Sequence, residues 1–414
     1  VTDEKTPWRY RALGRGFAIA DALAPAALLP RLDPEALIAA AGVTPSAEAR
    51  EGLQQLMAAL AKDSELTLFG RLSVRWDMIR LLRNAAAVDA AHAANPALAA
   101  AGIETPIFIL GLPRSGTTFL HTLLAEDPDN LVPRNWQTIY PAPRPPGFNP
   151  AGDRRVRIVN RQLNLFDGLA PGFSDLHPVT ADSPQECSEI TSHVFQSLRF
   201  DTTFRVPGYL AWLESHGDLA AFRFHKRFLQ FLQDGQPGNW VLKCPDHTFS
   251  LDAILQTYPD ARFVVVHRDP MDVLSSVAHL TEILRKPFLK NIDPAEIGDQ
   301  VSARWIDGAA RLIAFDHRAD ISADRKIHLR HDDLIAAPLA AAAAIYNRFG
   351  LPLTATAEAA MARLLAAKPR GGYARHAPYA GARFGLSPDR MQAAFAHYVA
   401  RYCAPIETVT GLGH

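Results

Sequence analysis

The sequence predicts a three-layer α/β domain with a central parallel sheet, preceded by a helical region. Short continuous apolar runs at 107–110, 240–242 and 261–266 have the length and make-up of strands buried on both faces. Each leads through a loop into residues with helical patterning, the order expected of strand–helix units. A chain of 414 residues, 48% of them hydrophobic, could form two or three average domains or one large core with insertions, and the alternation of strands and helices favours the latter.

Charge and cysteine content exclude several classes. Lys plus Arg and Asp plus Glu are equal at 43 each, so no global field attracts nucleic acid or a polyanionic glycan, although a local basic site is allowed. Cys187, Cys244 and Cys403 are odd in number and widely spaced, which argues for a reducing compartment and against a disulfide framework or a zinc site. No apolar run approaches the length of a membrane span, and the opening VTDEKTPWRY is neither a secretory signal nor a natural start. The expectation is a soluble cytoplasmic protein, trimmed at its N-terminus.

Residues 1–100 are rich in Ala and Leu, interrupted by Pro25, Pro30, Pro34 and Pro45, with helical spacing at 51–60 and 66–82. They predict several short helices without a chemical constellation. A cap on the later domain, a homodimer surface and a wall of a substrate pocket all stay open.

The chemistry begins at 107–127, which reads as strand, tight loop and helix. Gly111 and Gly116 are separated by four residues and followed by Thr117 and Thr118. This is nearly the P-loop pattern, in which backbone N–H groups and the positive end of a helix hold an anion. Thr117 stands where a nucleoside triphosphatase carries Lys, while Arg114 supplies a cation inside the loop. A guanidinium can fork onto two phosphate or sulfate oxygens, so the loop is an anion cradle but a poor triphosphatase.

Pro113-Arg114-Ser115-Gly116-Thr117-Thr118 resembles the 5′-phosphosulfate loop of sulfotransferases that use 3′-phosphoadenosine-5′-phosphosulfate (PAPS), in the variant with Arg in place of Lys. The resemblance runs over roughly residues 105–402. It implies a P-loop-type fold over 101–414, with acceptor-site insertions at about 130–235 and 282–318, and assigns Arg114, Ser115, Gly116, Thr117 and Thr118 to the donor. Lys243, at the C-terminal end of the 240–242 run, matches the strand-end Lys that neutralises the leaving oxygen. Arg268 ends the third run, Asp269 and Pro270 read as N-cap and first residue of a helix, and Ser276 lies about two turns into it. This spacing resembles the family's 3′-phosphate motif, and a 3′-phosphate is what separates PAPS from ATP. A late basic loop at 368–373 loosely resembles the segment that covers the 3′-phosphate, which assigns Arg370 to the cofactor.

The general base is less defined. Many relatives carry a Trp-Glu pair a little over twenty residues beyond the loop's cation; here the pair is Trp136-Gln137, and an amide is no useful proton acceptor. The proline-studded stretch 132–150 predicts an irregular crossing without regular helix. In 175–186, Ser183, Pro184 and Glu186 read as a capping box opening a helix, while His177, Asp182 and Glu186 form the densest titratable set before the next strand. His177 is preferred as base, with Asp182 or Glu186 as alternatives. Phe195, Phe200, Phe204, Tyr209 and Trp212 are core or the wall of an apolar acceptor pocket. Asp332 and Asp333 read as the cap of a strand-to-helix junction, and no metal is expected.

The sequence therefore predicts in-line sulfuryl transfer from PAPS to a hydroxyl of a small hydrophobic acceptor, with Arg114, Lys243 and His177 as catalytic groups. The alternatives are a P-loop kinase, against which Thr117 argues, and a non-catalytic nucleotide-binding protein on the same fold.

Overall fold

Five strands form one parallel sheet: β1 (Ile107–Gly111), β2 (Asn130–Leu131), β3 (Asn239–Lys243), β4 (Arg262–His267) and β5 (Lys326–Arg330), in the order β2-β3-β1-β4-β5. The structure, a computed structural model, describes residues 8–23, 30–367 and 381–403. The apolar runs are strands because both their faces are covered. Phe108, Leu110, Leu242, Phe263 and Val265 point into one core, whereas Ile107, Ile109, Val241, Val264 and Val266 point into the other. That period-two division is the three-layer arrangement predicted above.

The first core is shared with the helices that precede β1. Leu53 and Leu56 of helix Ala47–Asp63 and Val74, Met78 and Leu81 of helix Leu68–Ala94 join it, so the N-terminal helices are built onto the sheet layer. The second core is closed by helices Thr117–Leu124 and Pro338–Arg348. Asp269 caps helix Pro270–Arg285 by accepting from the Met271 amide, with Pro270 in the first turn as predicted.

Two local expectations fail. The stretch 132–150 does contain a helix, Asn135–Ile139, fitted between Pro133 and Pro141 and closed by the Gln137 side chain, which accepts from the Arg134 amide. The predicted helix at Pro184 does not form. Pro184 instead makes an antiparallel bridge with Arg134, the Gln185 amide donates to Pro133 O, and helix begins only at Ser188. Backbone groups that a helical turn would have satisfied are taken up by the upstream segment.

Gly111 is where the sheet needs a glycine. Its φ is +142°, and a Cβ there would sit 2.4 Å from Val266 O on β4. Gly111→Ala is expected to lower stability by about 2–4 kcal/mol, read as a fall in Tm; an unchanged Tm would mean that the β1–β4 pairing yields without strain.

Candidate active site

Because β1 lies between β3 and β4, the loops that leave the C-terminal ends of these three strands converge. Parallel sheets bind ligands at this edge. β1 delivers the loop 112–116, β3 delivers Lys243, and β4 delivers Arg268.

The loop turns through Arg114 at φ +64° and Gly116 at φ +94°. A Cβ on Gly116 would press on the His331 ring at 3.1 Å, so the turn is tight on both sides. Ser115 is fully buried and donates to Leu112 O at 2.6 Å, which braces the loop from behind. Helix Thr117–Leu124 starts at Gly116 with no side-chain cap, leaving its first amides to an external anion. Arg114 donates to Leu176 O at 2.7 Å, and its own carbonyl accepts from Arg268 at 3.0 Å. The two motif arginines are thereby linked through the loop backbone.

Lys243 is almost wholly buried and donates to Thr118 Oγ1 at 3.0 Å. Its charge is met by Glu186, which also accepts from Cys244 Sγ at 3.8 Å. Glu186 is therefore no helix-capping residue; freed by the bridge at Pro184, its carboxylate turns to the β3 lysine. Ser183 Oγ accepts from the Thr180 amide. Burial pushes the Glu186 carboxyl up, but Lys243 and then His177 outweigh it and hold the group below its ordinary range. Burial pulls the His177 imidazole down to about 4, with Lys243 and Arg114 adding to the effect and Glu186 opposing it. Both groups are proton acceptors at neutral pH.

Arg114, Gly116, Thr117, Thr118, His177, Glu186, Lys243 and Arg268 all line one cavity of ≈ 1260 Å³. Ser276 is half-buried on its helix and does not line it. Asp182 also stays out of the cavity wall; its backbone carbonyl accepts from Arg134. Gln137 is engaged by the Arg134 amide and Ala142 O. Arg370 lies outside the described residues. Asp332 and Asp333 sit in the first turn of helix His331–Ala336, and among the described residues no three His, Cys, Asp or Glu side chains gather as a metal site.

The cavity continues away from the cations along an aromatic wall. From His177 the rings follow as Phe173 (5.9 Å between centroids), Phe166 (5.0 Å), Phe288 (5.9 Å), Phe69 (5.7 Å) and Phe17 (5.3 Å). Phe204 joins Phe288 at 5.5 Å. Of the aromatic stretch 195–212, Phe204 alone reaches this cavity, while Phe195, Phe200 and Tyr209 are core. The wall draws on helices Trp8–Leu23 and Leu68–Ala94, so the N-terminal region contributes to the pocket. No motif marks these phenylalanines; the available signal was the helical spacing of apolar residues in 66–82, which does not say which face meets a ligand.

Six other charged residues that line the cavity, Asp77, Arg80, Glu189, Arg199, Asp201 and Arg304, are paired among themselves. Asp77 bonds Arg80 at 2.6 Å and Arg199 at 2.8 Å, Arg199 bonds Glu189 at 2.6 Å, and Arg304 pairs with Asp201. Burial alone would raise Asp77, but Arg199 and Arg80 bring it down to about 2.

Residues 106–355 match the model of the sulfotransferase family. Over 261 residues the chain is 26% identical to the omega-hydroxy-beta-dihydromenaquinone-9 sulfotransferase Stf3 of Mycobacterium bovis, a stretch that is 60% of this chain and 63% of the relative. The Stf3 of Mycobacterium tuberculosis matches equally, so the alignment spans somewhat under two thirds of the curated relatives. Among solved structures, sulfotransferase STF1 of Mycobacterium tuberculosis is 28% identical with a TM-score of 0.76, covering 91% of this chain and 100% of that one. Sulfotransferase STF9 of Mycobacterium avium is 27% identical with a TM-score of 0.80, covering 90% and 96%.

The electrostatics of the site can be read directly. The His177 ring proton signals, assigned with His177→Gln, are expected to titrate near about 4, well below the ordinary value of about 6.5. Glu186→Gln removes the anion that favours the imidazolium and is expected to move that titration lower still. A midpoint at the ordinary value would mean that the ring is open to solvent.

Proposed function

Because the chain belongs to the sulfotransferase family, we propose that it transfers the sulfuryl group of PAPS to a hydroxyl borne by an apolar molecule. The observation that carries this reading is the meeting, in one cavity, of a cation-rich anion cradle, the Glu186–His177 pair and an aromatic corridor. The apolar acceptor accords with that corridor and with the activity for which the Stf3 relatives are named, sulfation of an omega-hydroxylated menaquinone derivative.

The uncapped amides that open helix Thr117–Leu124, together with Arg114, suit the 5′ end of the donor, and Arg268 with Ser276 is assigned the 3′-phosphate. Bound there, PAPS supplies the sulfuryl group and leaves as 3′-phosphoadenosine-5′-phosphate. Lys243, at hydrogen-bond distance from Thr118 in the cradle, is the cation that meets the charge building on the leaving side.

Glu186 accepts the proton of the acceptor hydroxyl. At rest it is held by Lys243, which makes it a weak base. An anion in the cradle competes for Lys243 and adds negative charge beside Glu186 and His177. Both effects raise the proton affinity of the two groups, so the base strengthens when the donor side is filled. His177, next to Glu186 and still neutral at working pH, orients the hydroxyl and shares the proton's charge.

Titration calorimetry with 3′-phosphoadenosine-5′-phosphate, ADP and ATP is expected to show the tightest binding for the 3′-phosphorylated nucleotide. Arg268→Ala is expected to weaken it by about 10–100-fold, the worth of charge-assisted hydrogen bonds, with little effect on ADP. Equal or tighter binding of ATP would overturn the reading. In sulfation assays read by mass, Glu186→Gln is expected to lower kcat by roughly 10²–10⁴-fold with nucleotide binding retained, and His177→Gln to lower it less. A larger loss in His177→Gln would transfer the proton-accepting role to the imidazole.

A further inference from the structure

We propose that the outer face of helix Trp8–Leu23, flanked by the basic face of helix Arg154–Leu169, docks the protein on an anionic lipid bilayer, from whose surface the acceptor enters the cavity. This rests on the reading of the acceptor as apolar.

A helix packed on a globular body normally turns apolar residues inward and polar ones outward. Helix Trp8–Leu23 carries apolar residues on both sides, with the exposed Arg15 at the edge of the outer ones. Inward, Phe17 meets Phe69 at 5.3 Å, and Asp21 accepts from the Leu68 amide at 2.9 Å and pairs with Lys290 at 3.0 Å. Outward, Trp8, Ala12, Gly16, Ile19 and Leu23 recur every three or four residues on one exposed face, with Trp8 76%, Ile19 60% and Leu23 75% accessible. The inner contacts hold the helix in place while its outer face stays largely exposed among the described residues.

That face is continuous with the entrance to the corridor. Leu72 and Trp76 line the cavity and are still 42% and 47% exposed, so the cavity opens beside the helix. The neighbouring helix Arg154–Leu169 packs against Trp8–Leu23 and contributes Leu163 and Phe166 to the same cavity. Its solvent side carries Arg154, Arg157 and Arg161, spaced by three and four residues, and the helix contains a single acidic residue, Asp167.

An exposed apolar helix face with a tryptophan at its end and guanidinium groups on its flank is the composition that settles at the lipid headgroup boundary. It also solves a supply problem, since a long apolar alcohol is concentrated in membranes and scarce in water.

Co-sedimentation with vesicles of phosphatidylcholine, alone or mixed with phosphatidylglycerol, tests the surface. Wild-type protein is expected to sediment with the mixed vesicles. Trp8→Ser/Ile19→Ser/Leu23→Ser is expected to stay in the supernatant, and Arg154→Gln/Arg157→Gln/Arg161→Gln to bind the mixed vesicles roughly a hundredfold more weakly, at about fivefold per lost charge. Both variants are expected to keep wild-type nucleotide binding and wild-type sulfation of a water-soluble phenol, while sulfation of a long-chain alcohol held in the mixed vesicles falls. Wild type remaining in the supernatant with every vesicle, or variants sedimenting like wild type, would overturn docking. So would a wild-type dimer that the serine variant converts to monomer without any vesicle binding, since the face would then join two copies. Failure of wild type to sulfate the soluble phenol would count against the catalytic reading, and the vesicle result would still decide docking by itself.

Discussion

Placing β1 in parallel register between β3 and β4 brings three cations to one edge of the sheet, and most of the local structure answers that concentration of like charge. Ile109 is opposite Lys243 on one side and Val264 on the other, so the loop that leaves β1 is flanked by the residues that end its neighbours. Arg114 and Arg268 each donate to a carbonyl, Leu176 O and Arg114 O, and Arg268 also lies 3.7 Å from the exposed Asp272 carboxylate. A carbonyl orients a guanidinium without cancelling its charge. Lys243 is buried too deeply for that alone, because an unpaired ammonium in the interior would be strongly disfavoured. Glu186 supplies the missing anion, so the pair to which the proposed reaction assigns the chemistry also balances the buried charge of the resting site.

On the proposed reaction, this dual role would restrain Glu186 as a base until it is needed. The same lysine that depresses Glu186 is the group an incoming anion must recruit, so occupation of the cradle and release of the carboxylate are one electrostatic event. His177 follows the same logic from the opposite charge type: Lys243 and Arg114 disfavour its protonated form, and an anion between them would relieve that. Neither effect requires a moving lid. Each follows from charges fixed at the ends of adjacent strands.

What the sequence made legible was whatever is decided locally or by burial on both faces. The strands were readable because a covered parallel strand needs continuous apolar residues, as in Phe263–Val266. The cradle was readable because Gly111 and Gly116 occupy backbone conformations and close approaches that only glycine tolerates without strain. Glu186 was ambiguous for a specific reason. Ser183, Pro184 and Glu186 have the spacing of a capping box, and nothing local reveals that the backbone at 133–135 will bind Pro184 and Gln185 first. The aromatic corridor was hidden for the opposite reason: its six rings come from six separate helical or loop segments, each of which reads alone as ordinary amphipathic packing.

The charges around the corridor also bear on selectivity. A wall containing Asp77, Arg80, Glu189, Arg199, Asp201 and Arg304 would suit a polar acceptor if those groups faced it unpaired. They are spent on one another instead, at distances of 2.6–2.8 Å for Asp77, Arg80, Arg199 and Glu189. Breaking such a pair to greet a ligand would strand the remaining charge, at a cost of several kcal/mol. The corridor therefore behaves as apolar despite its composition, and the polarity of the cavity rises toward the strand ends. An elongated molecule with one hydroxyl meets that gradient in a single favourable orientation, its polar end toward Glu186 and its apolar body along Phe166, Phe288 and Phe69. For the acceptor proposed above, orientation would thus be imposed by desolvation rather than by hydrogen bonds to its body, which would leave the site selective for where the hydroxyl lies and tolerant of what the apolar remainder is.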